Sequence, residues 1–298
     1  ISDLLDMNQV TYIDKDYEKP EVANHMRRID KKLFASRRFD YSRFPLIRYV
    51  QGFNTRTFQS FSVSQFMDFI QCRRRYFLKY YGRLPLDDVK EYKVSKTGSY
   101  SVDGILKGNI IHRFCQHYSK GQDAKELLRQ VVNSYGIPYT EELEKELYRY
   151  VENYLDLYVE DYEEFYTERE FFLKIGDTYI RGIIDRINIR DGKCQILDFK
   201  TNKIIDLNSL RLKYEPQIKL YANAVRKITG MEINKAQIIF LDTKDVVDID
   251  VSEDSLNKNM ESIVEFIDFV NNNSKIEQYE KSKSCTLGCE YSVFCKYD

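Results

Sequence analysis

The chain has 298 residues, of which 43% are hydrophobic and 31% are charged, and its formal net charge is -1. This composition is that of an ordinary globular protein and excludes the strongly basic character of a dedicated nucleic-acid binder, so any polyanion site must be local. No apolar run reaches the roughly 18–20 residues of a membrane span, and the first residues lack a secretion signal. The sequence therefore predicts a cytoplasmic chain with no membrane partner.

The chain divides at about residue 60. Residues 1–60 show little hydrophobic periodicity apart from a predicted helix near 20–36, and we interpret them as an extension or linker. Residues 61–298 show clear helix and strand patterns and are expected to form the folded domain. Because the first residue is Ile1, we expect the chain to be part of a longer protein.

Helical patterns dominate the first half of the domain. Ser62 or Ser64 is expected to cap a helix that Gly82 and Pro85 bring to an end. A polar loop is predicted over 86–104. Three helices follow in the sequence, namely GNIIHRFCQHYSKG, then 123–135, then 140–162.

From residue 167 the hydrophobic period changes to that of a strand. The segments EREFFLKI, YIRGIIDRINI and KCQILDFK predict three consecutive antiparallel strands. A helix that ends at Gly230, the strands KAQIIFLDT and VVDIDV, and the helix LNKNMESIVEFIDFVNN follow. This order predicts an α/β fold with a central mixed β-sheet, an antiparallel hairpin meander, flanking helices and helical insertions.

The stretch RGIIDRINIRDGKCQILDFKTNK carries charges inside a predicted apolar hairpin. Asp191 and Gly192 are a strong signal for a two-residue loop, which sets Asp185 directly opposite Asp198. Lys200 lies two residues beyond Asp198 and therefore shares its face. Two opposed carboxylates destabilise a sheet, and a divalent cation between them would offset the repulsion. Oxygen ligands favour Mg²⁺ or Mn²⁺; a surface hairpin with a solvated charged face is the alternative.

The neighbours of these charges indicate that the hairpin is buried. Buried carboxylates without partners would take up protons, which a bound metal would prevent. Apolar residues are expected on both faces of the hairpin, with Ile183, Ile187 and Ile196 on one and Ile180, Ile184, Leu197 and Phe199 on the other.

Six cysteines are present, and a cytosolic chain argues against disulfides. Cys115 and Cys194 lie in apolar patterns and are interpreted as core thiols. Four thiolates can hold zinc or an iron–sulfur cluster, although zinc usually prefers C-x2-C pairs, and unligated thiols are the third possibility. The four candidate ligands are Cys72 and the C-x3-C-x5-C set Cys285, Cys289 and Cys295.

A basic cluster follows Cys72 directly. Arg73, Arg74, Arg75 and Lys79 alternate with aromatic residues, so they are candidates for binding DNA phosphates while the rings stack on bases. A helix with one solvated face explains the same pattern without DNA.

Four motifs occur in a fixed order along residues 62–298: G-x3-H ending at His112, G-x2-D ending at Asp185, D-x-K ending at Lys200, and Q-x3-Y ending at Tyr221. With this order the chain resembles the PD-(D/E)XK nuclease superfamily, and more narrowly the RecB/AddAB-type nuclease domain at the C-terminal part of UvrD-like helicase–nucleases. The resemblance implies a restriction-endonuclease-like core over 61–298, and a helicase region before 1–60.

The resemblance also implies a metal site. Glu168 or Glu170 could add a carboxylate to it, although both are expected to be exposed. The ligands of the catalytic Mg²⁺ or Mn²⁺ would be His112, Asp185, Asp198 and the backbone carbonyl of Phe199.

Three further residues would act beside that metal. By the same resemblance, Lys200 would position and activate the attacking water and stabilise the charged phosphate. Gln217 and Tyr221, one helical turn apart, would orient the lysine or the DNA. Phosphodiester hydrolysis needs a hydroxide near neutral pH and neutralisation of oxyanion charge, which a metal ion supplies.

One early cysteine joined by three near the C-terminus resembles the staple of AddB-type nuclease domains and of CRISPR-associated adaptation nucleases. In those proteins a [4Fe-4S] cluster ties the two ends of the domain together, which implies that Cys72, Cys285, Cys289 and Cys295 hold such a cluster. Two features depart from that pattern: C-x3-C is one residue longer than C-x2-C, and Arg73 stands where a proline often follows.

These implications predict a divalent-metal-dependent deoxyribonuclease, exonucleolytic on single strands or duplex ends, that serves double-strand break repair and recombination. Its partner would be a helicase region in the same chain or in another subunit. One alternative is a non-catalytic, iron–sulfur-stapled DNA-binding module. The other is a stand-alone CRISPR adaptation nuclease, for which residues 1–60 and the helical insert at 120–162 make the chain long.

Overall fold

The computed structural model describes residues 60–82, 103–157, 162–282, 289–291 and 295. The helix predicted near 20–36 and nearly all of the loop predicted over 86–104 lie outside these ranges. Six strands form one sheet in the described part: β1 (Ser60–Ser62), β2 (Glu164–Ile175), β3 (Thr178–Arg190), β4 (Lys193–Lys200), β5 (Glu232–Phe240) and β6 (Asp245–Asp248).

Seven helices flank the sheet in the same ranges. They are α1 (Val63–Gln71), α2 (Arg73–Tyr76), α3 (Gly104–His117), α4 (Ala124–Ser134), α5 (Glu141–Leu157), α6 (Leu207–Thr229) and α7 (Glu253–Asn272), with a π-helical turn at Phe77–Tyr81 and a 3-10 turn at Ile276–Gln278. None of the described helices is both long enough and apolar enough to cross a membrane.

Strand β3 is the centre of the sheet. It pairs antiparallel with β2 along nearly its whole length. Its other edge is shared: β4 pairs antiparallel at residues 186–190, and β1 pairs parallel at residues 179–181. Strand β5 then adds parallel to β4, and β6 adds antiparallel to β5. The predicted mixed sheet with a hairpin meander is therefore confirmed.

Both faces of the sheet are covered, as the apolar pattern predicted. On one face, Ile187 and Ile196 pack in a core with helices α1, α6 and α7. On the other face, Leu197 and Phe199 pack in a second core with helices α3, α4 and α5. Two-sided cover leaves the ends of the strands as the places where polar groups can reach both layers and solvent.

The helix that begins after Ser62 is interrupted. Ser62 is the N-cap, since its hydroxyl accepts from the Gln65 amide at 3.1 Å while the Gln65 side chain accepts from the Ser62 amide at 2.8 Å. Instead of continuing to Gly82, the helix stops at Cys72, which is extended (φ -164°) and caps α2 through its sulfur. The continuous helix predicted from this pattern is wrong.

Helix α6 begins earlier than the sequence pattern indicates. A start at Tyr214 would place Pro216 in the first turn, where a missing amide costs nothing. The observed helix starts after the cap Asp206 and contains Pro216 in its interior. It ends at Gly230 in the left-handed conformation (φ 76°), as predicted.

Candidate active site

The predicted hairpin register is observed. Asp191 (φ 50°) and Gly192 (φ 69°) form the loop, and the ladder runs from the pair Arg190 and Lys193 to the pair Arg186 and Leu197. In this register Asp185 stands opposite Asp198, one position beyond the last paired residues. There the backbone amide of Phe199 donates to Asp185 Oδ2 at 2.7 Å instead of to a strand carbonyl.

A third carboxylate stands at the same level of the sheet. Between β2 and β3, Thr167 pairs with Arg186 and Arg169 pairs with Ile184, so Glu168 faces Asp185 without a ladder pairing. Glu168 has a positive φ of 47°, a conformation that costs free energy for a residue with a side chain and is enriched at functional sites. The expectation that Glu168 is exposed is wrong, because this kink turns its side chain inward; Glu170 is exposed as expected.

Strand β3 changes face at the same level of the sheet. Ile180 and Ile184, which precede Asp185 in the chain, pack in the core that contains Ile187, rather than on the opposite face. Ile183, predicted to be buried beside Ile187, is 49% exposed. The alternation of β3 side chains between the two faces of the sheet is therefore interrupted at Asp185.

Helix α3 brings His112 to this level. His112 Nδ1 lies 3.3 Å from Asp185 Oδ2. One turn earlier on the same helix, Gly108 packs against the residue that follows β4: a Cβ there would lie 3.4 Å from Thr201 Oγ1. The glycine of the first motif thus lets the helix approach the strand end closely.

Lys200, at the end of β4, contacts the second acidic residue. Its Nζ lies 2.7 Å from Asp198 Oδ2 and donates to Gln217 Oε1 at 3.4 Å. Gln217 Nε2 in turn donates to Tyr221 Oη at 2.6 Å. The residues of the D-x-K and Q-x3-Y motifs therefore form one connected chain of contacts between β4 and α6.

The charges in this cluster shift one another. Burial raises the pKa of Asp198 to about 6, with Lys200 opposing the rise and Asp185 adding to it. Burial and the Asp185 charge raise the pKa of Glu168 to about 7. Burial disfavours the imidazolium, yet Asp185 outweighs it and raises the pKa of His112 to about 9. The acidic groups are thus crowded enough that a cation among them would be stabilising.

These residues fit a divalent metal ion. Ligand atoms of His112, Glu168 and Asp185 all lie within 4.8 Å of one another, which no other His, Cys, Asp and Glu group of the described chain achieves. Asp198 Oδ2 is buried and accepts no well-oriented hydrogen bond, although Lys200 is close. Carboxylates with one imidazole suit Mg²⁺ or Mn²⁺ rather than a metal that prefers sulfur. The Phe199 carbonyl stays a predicted ligand.

The basic cluster contacts other parts of the chain. The Arg73 guanidinium lies 2.6 Å from Glu265 and stacks over the Phe269 ring at 4.5 Å. Arg74 Nε donates to the Tyr279 carbonyl at 2.8 Å. Partners of the remaining two cations, Arg75 and Lys79, include Glu290 and Asp68, each at 2.8 Å. Their predicted contact with DNA stays a prediction.

Three of the four candidate cluster cysteines are described, and Cys285 lies outside the described residues. Cys72 accepts the Arg75 amide at 3.4 Å through its sulfur. Burial raises the pKa of the Cys295 thiol. The three described thiols do not converge within the 4.8 Å that a single metal ion needs. Cys115 and Cys194 are buried core thiols, as predicted.

A mixed sheet covered on both faces, with acids and a lysine where its central strands separate, defines the class as a restriction-endonuclease-like α/β nuclease fold. A family model described as "PD-(D/E)XK nuclease superfamily" matches residues 60–296. The chain belongs to the PD-(D/E)XK nuclease superfamily.

Curated relatives are described as subunits of an ATP-dependent helicase/nuclease. The relative from Clostridium botulinum is 23% identical over 168 residues, which are 48% of this chain and 13% of the relative. The relative from Clostridium kluyveri is 34% identical over 68 residues, or 23% of this chain and 5% of the relative. The relative from Listeria welshimeri is 29% identical over 82 residues, which are 25% of this chain and 7% of the relative. The chain thus spans a small part of each.

A solved structure shows the same fold. It is a protein of Eubacterium rectale, provisionally named an exonuclease, that superposes with a TM-score of 0.50 at 16% identity. The match covers 80% of this chain and 88% of the other.

Proposed function

We propose that this chain is the nuclease domain of a helicase–nuclease and hydrolyses DNA phosphodiester bonds with a divalent metal ion. The observation that carries the proposal is the convergence of His112, Glu168, Asp185 and the Asp198–Lys200 ion pair at one level of the sheet. The superfamily match and the helicase/nuclease relatives support it.

Mg²⁺ or Mn²⁺ would be held by His112, Asp185, Asp198 and the Phe199 carbonyl. Glu168 would be a further ligand, because its carboxylate lies close to His112 and Asp185. When bound, the cation lowers the pKa of a water molecule and neutralises negative charge on the phosphate. The Phe199 amide holds the Asp185 carboxylate in place through the 2.7 Å hydrogen bond. His112 contacts the same carboxylate oxygen from the opposite layer, which fixes both side chains.

Lys200 would act on the substrate. Its ammonium is already beside Asp198, so a water or phosphate oxygen that enters next to that carboxylate lies within reach of an N–H donor. Gln217 accepts one N–H of Lys200, and Tyr221 holds the Gln217 amide in the orientation that does so. These two residues act on the lysine rather than on the reacting bond.

The substrate would be DNA supplied as single strands or duplex ends by a helicase region in the same chain or in a partner protein. A net charge of -1 suits a domain that receives DNA from a motor rather than capturing it alone. Exonucleolytic action, a role in break repair and recombination, and a cytoplasmic location are parts of this proposal. Arg73 and Lys79, whose side chains are 35% and 38% exposed, would contact the strand together with Arg74 and Arg75.

A [4Fe-4S] cluster held by Cys72, Cys285, Cys289 and Cys295 is the second part of the proposal. The described sulfurs do not converge as the ligands of a single ion do, and a larger cofactor tolerates wider spacing. The amide of Arg75 beside Cys72 suits a thiolate. Anaerobically purified protein should show a broad absorbance near 400 nm that Cys289→Ser removes. A colourless protein that contains zinc would contradict the cluster.

Cleavage assays with Mg²⁺ and Mn²⁺ test the nuclease proposal. The substrates are end-labelled linear single strands, circular single strands and blunt duplexes. Wild-type protein and Glu170→Ala, an exposed acid on the same strand as Glu168, should degrade the linear strand, and Asp198→Ala should not. Resistance of the circle would support exonucleolytic action. Metal-independent cleavage, or DNA binding without any cleavage, would contradict the proposal; the second result is that of a non-catalytic module.

A further inference from the structure

An aromatic ring lies against the lysine of the D-x-K motif. Lys200 Nζ is 4.6 Å from the centroid of the Tyr214 ring. Tyr214 lies on α6 three residues before Gln217 and seven before Tyr221, a spacing that places all three on one face of the helix. None of the four sequence motifs contains Tyr214.

The ring is itself held in place. The Tyr214 hydroxyl donates to Asn202 Oδ1 at 3.0 Å, which ties helix α6 to the loop that follows β4. The ring also packs near Phe240 of β5, at 6.5 Å between centroids. Lys213 approaches the same ring at 5.1 Å. The position of the ring is therefore set from the sheet and from the loop.

Lys200 is thus bounded by three different groups. The Asp198 carboxylate attracts it at 2.7 Å, and the Gln217 amide oxygen accepts from it at 3.4 Å. The Tyr214 ring attracts the positive charge through its π electrons, without taking a proton and without fixing the direction of an N–H bond. A ring can therefore keep the ammonium in place and still leave an N–H bond free for an incoming water or phosphate.

We infer that Tyr214 is a positioning residue for Lys200: its ring holds the ammonium beside Asp198, and its hydroxyl bond to Asn202 fixes the ring. The inference rests on the proposed nuclease function. Without the ring, the four-carbon side chain of Lys200 would sample other orientations, and fewer substrate complexes would have the ammonium in place. Because Tyr214 acts through Lys200, the loss should appear in kcat rather than in KM.

Single-strand cleavage by wild type and four variants, with melting temperatures for each, tests the inference. Tyr214→Leu removes the ring and should lower kcat about tenfold with KM nearly unchanged. Tyr214→Phe keeps the ring and should restore kcat to within about threefold of wild type. Asn202→Ala leaves the ring but removes its tether at an exposed position, and should lower kcat by a smaller factor than Tyr214→Leu.

The matched control is Tyr148→Leu. Tyr148 has a comparable contact with Lys125, at 5.1 Å, on helices away from the site, so this variant should keep wild-type kcat. Equal kcat for wild type and Tyr214→Leu would overturn the inference. So would a Tyr214→Phe variant as slow as Tyr214→Leu.

NMR of lysine labelled at Cε gives a second readout that needs no cleavage. The Lys200 signal, assigned by its loss in Lys200→Arg, should be shifted upfield by the ring current in wild type and Tyr214→Phe, and should move to the ordinary position in Tyr214→Leu. An ordinary position in wild type would overturn the inference. Absence of cleavage in wild type, with the upfield shift present, would instead contradict the proposed function and leave the ring contact standing.

Discussion

Replacement of Gly182, the glycine of the G-x2-D motif, by alanine tests how closely α1 and β2 pack against β3, three residues before Asp185. A Cβ on Gly182 would lie 2.5 Å from Val63 Cγ2 and 2.8 Å from Phe171 Cε1, both closer than real contacts allow. Val63 is β-branched and 5% exposed, and Phe171 is fully buried across the strand pair, so neither can move away easily. Overpacking of this kind costs about 2–3 kcal/mol.

Thermal unfolding followed by circular dichroism measures the effect. For a domain of this size the loss corresponds to a fall of about 5–10 °C in Tm. Gly104→Ala is the matched control, because a Cβ at the first residue of α3 meets no atom within 4 Å and should leave Tm unchanged or slightly raised. A Gly182→Ala protein as stable as Gly104→Ala would refute the close approach of α1 and β2 at this residue.

Two further substitutions probe the site and the C-terminal part of the domain. Glu168→Gln should weaken Mn²⁺ binding at least about tenfold in calorimetry, because it removes a carboxylate from the ligand set. The control variant Glu170→Gln should bind Mn²⁺ as wild type does. Equal Mn²⁺ affinities for the two variants would exclude Glu168 from the ligand set. Tyr279→Ala should lower the free energy of unfolding in urea by about 3–5 kcal/mol, because the fully buried ring packs against Phe77 at 4.9 Å and Phe269 at 5.1 Å between centroids. A loss below about 1 kcal/mol would show that Tyr279 does not pack against these two rings.

The hairpin could be predicted because its register depends on local chemistry. Asp191 and Gly192 accept positive φ, so the loop alone fixes which residues of β3 and β4 are opposite. The same reasoning could have found Glu168. Gly176 (φ 58°) and Asp177 connect Ile175 to Thr178 in a second two-residue loop, and that register sets Glu168 opposite Asp185. The signal was present in the sequence, and alternation of apolar residues concealed it.

Other features depend on contacts between distant segments and could not be read from a pattern. His112 reaches Asp185 because α3 packs on the opposite layer, a contact that no local spacing encodes. Arg73 and Arg75 form ion pairs with Glu265 and Glu290, which lie far along the chain. The sequence around the basic cluster therefore gives no sign of these ion pairs. The helix break at Cys72 also involves a distant segment, because the Arg74 amide after the break donates to the Glu280 carbonyl at 3.1 Å.

The charges of the hairpin are proposed to form a hydrolytic site, and every other part of the mechanism depends on that claim. Single-turnover cleavage of single-stranded DNA by Lys200→Met, with Lys193→Met as control, tests it most directly. Lys193 begins the same strand and pairs with Glu232 at 3.0 Å, away from the acidic cluster. We expect the Lys200 variant to be slower by about 10²–10⁴-fold and the Lys193 variant to match wild type. Equal rates for the two variants would contradict the claim.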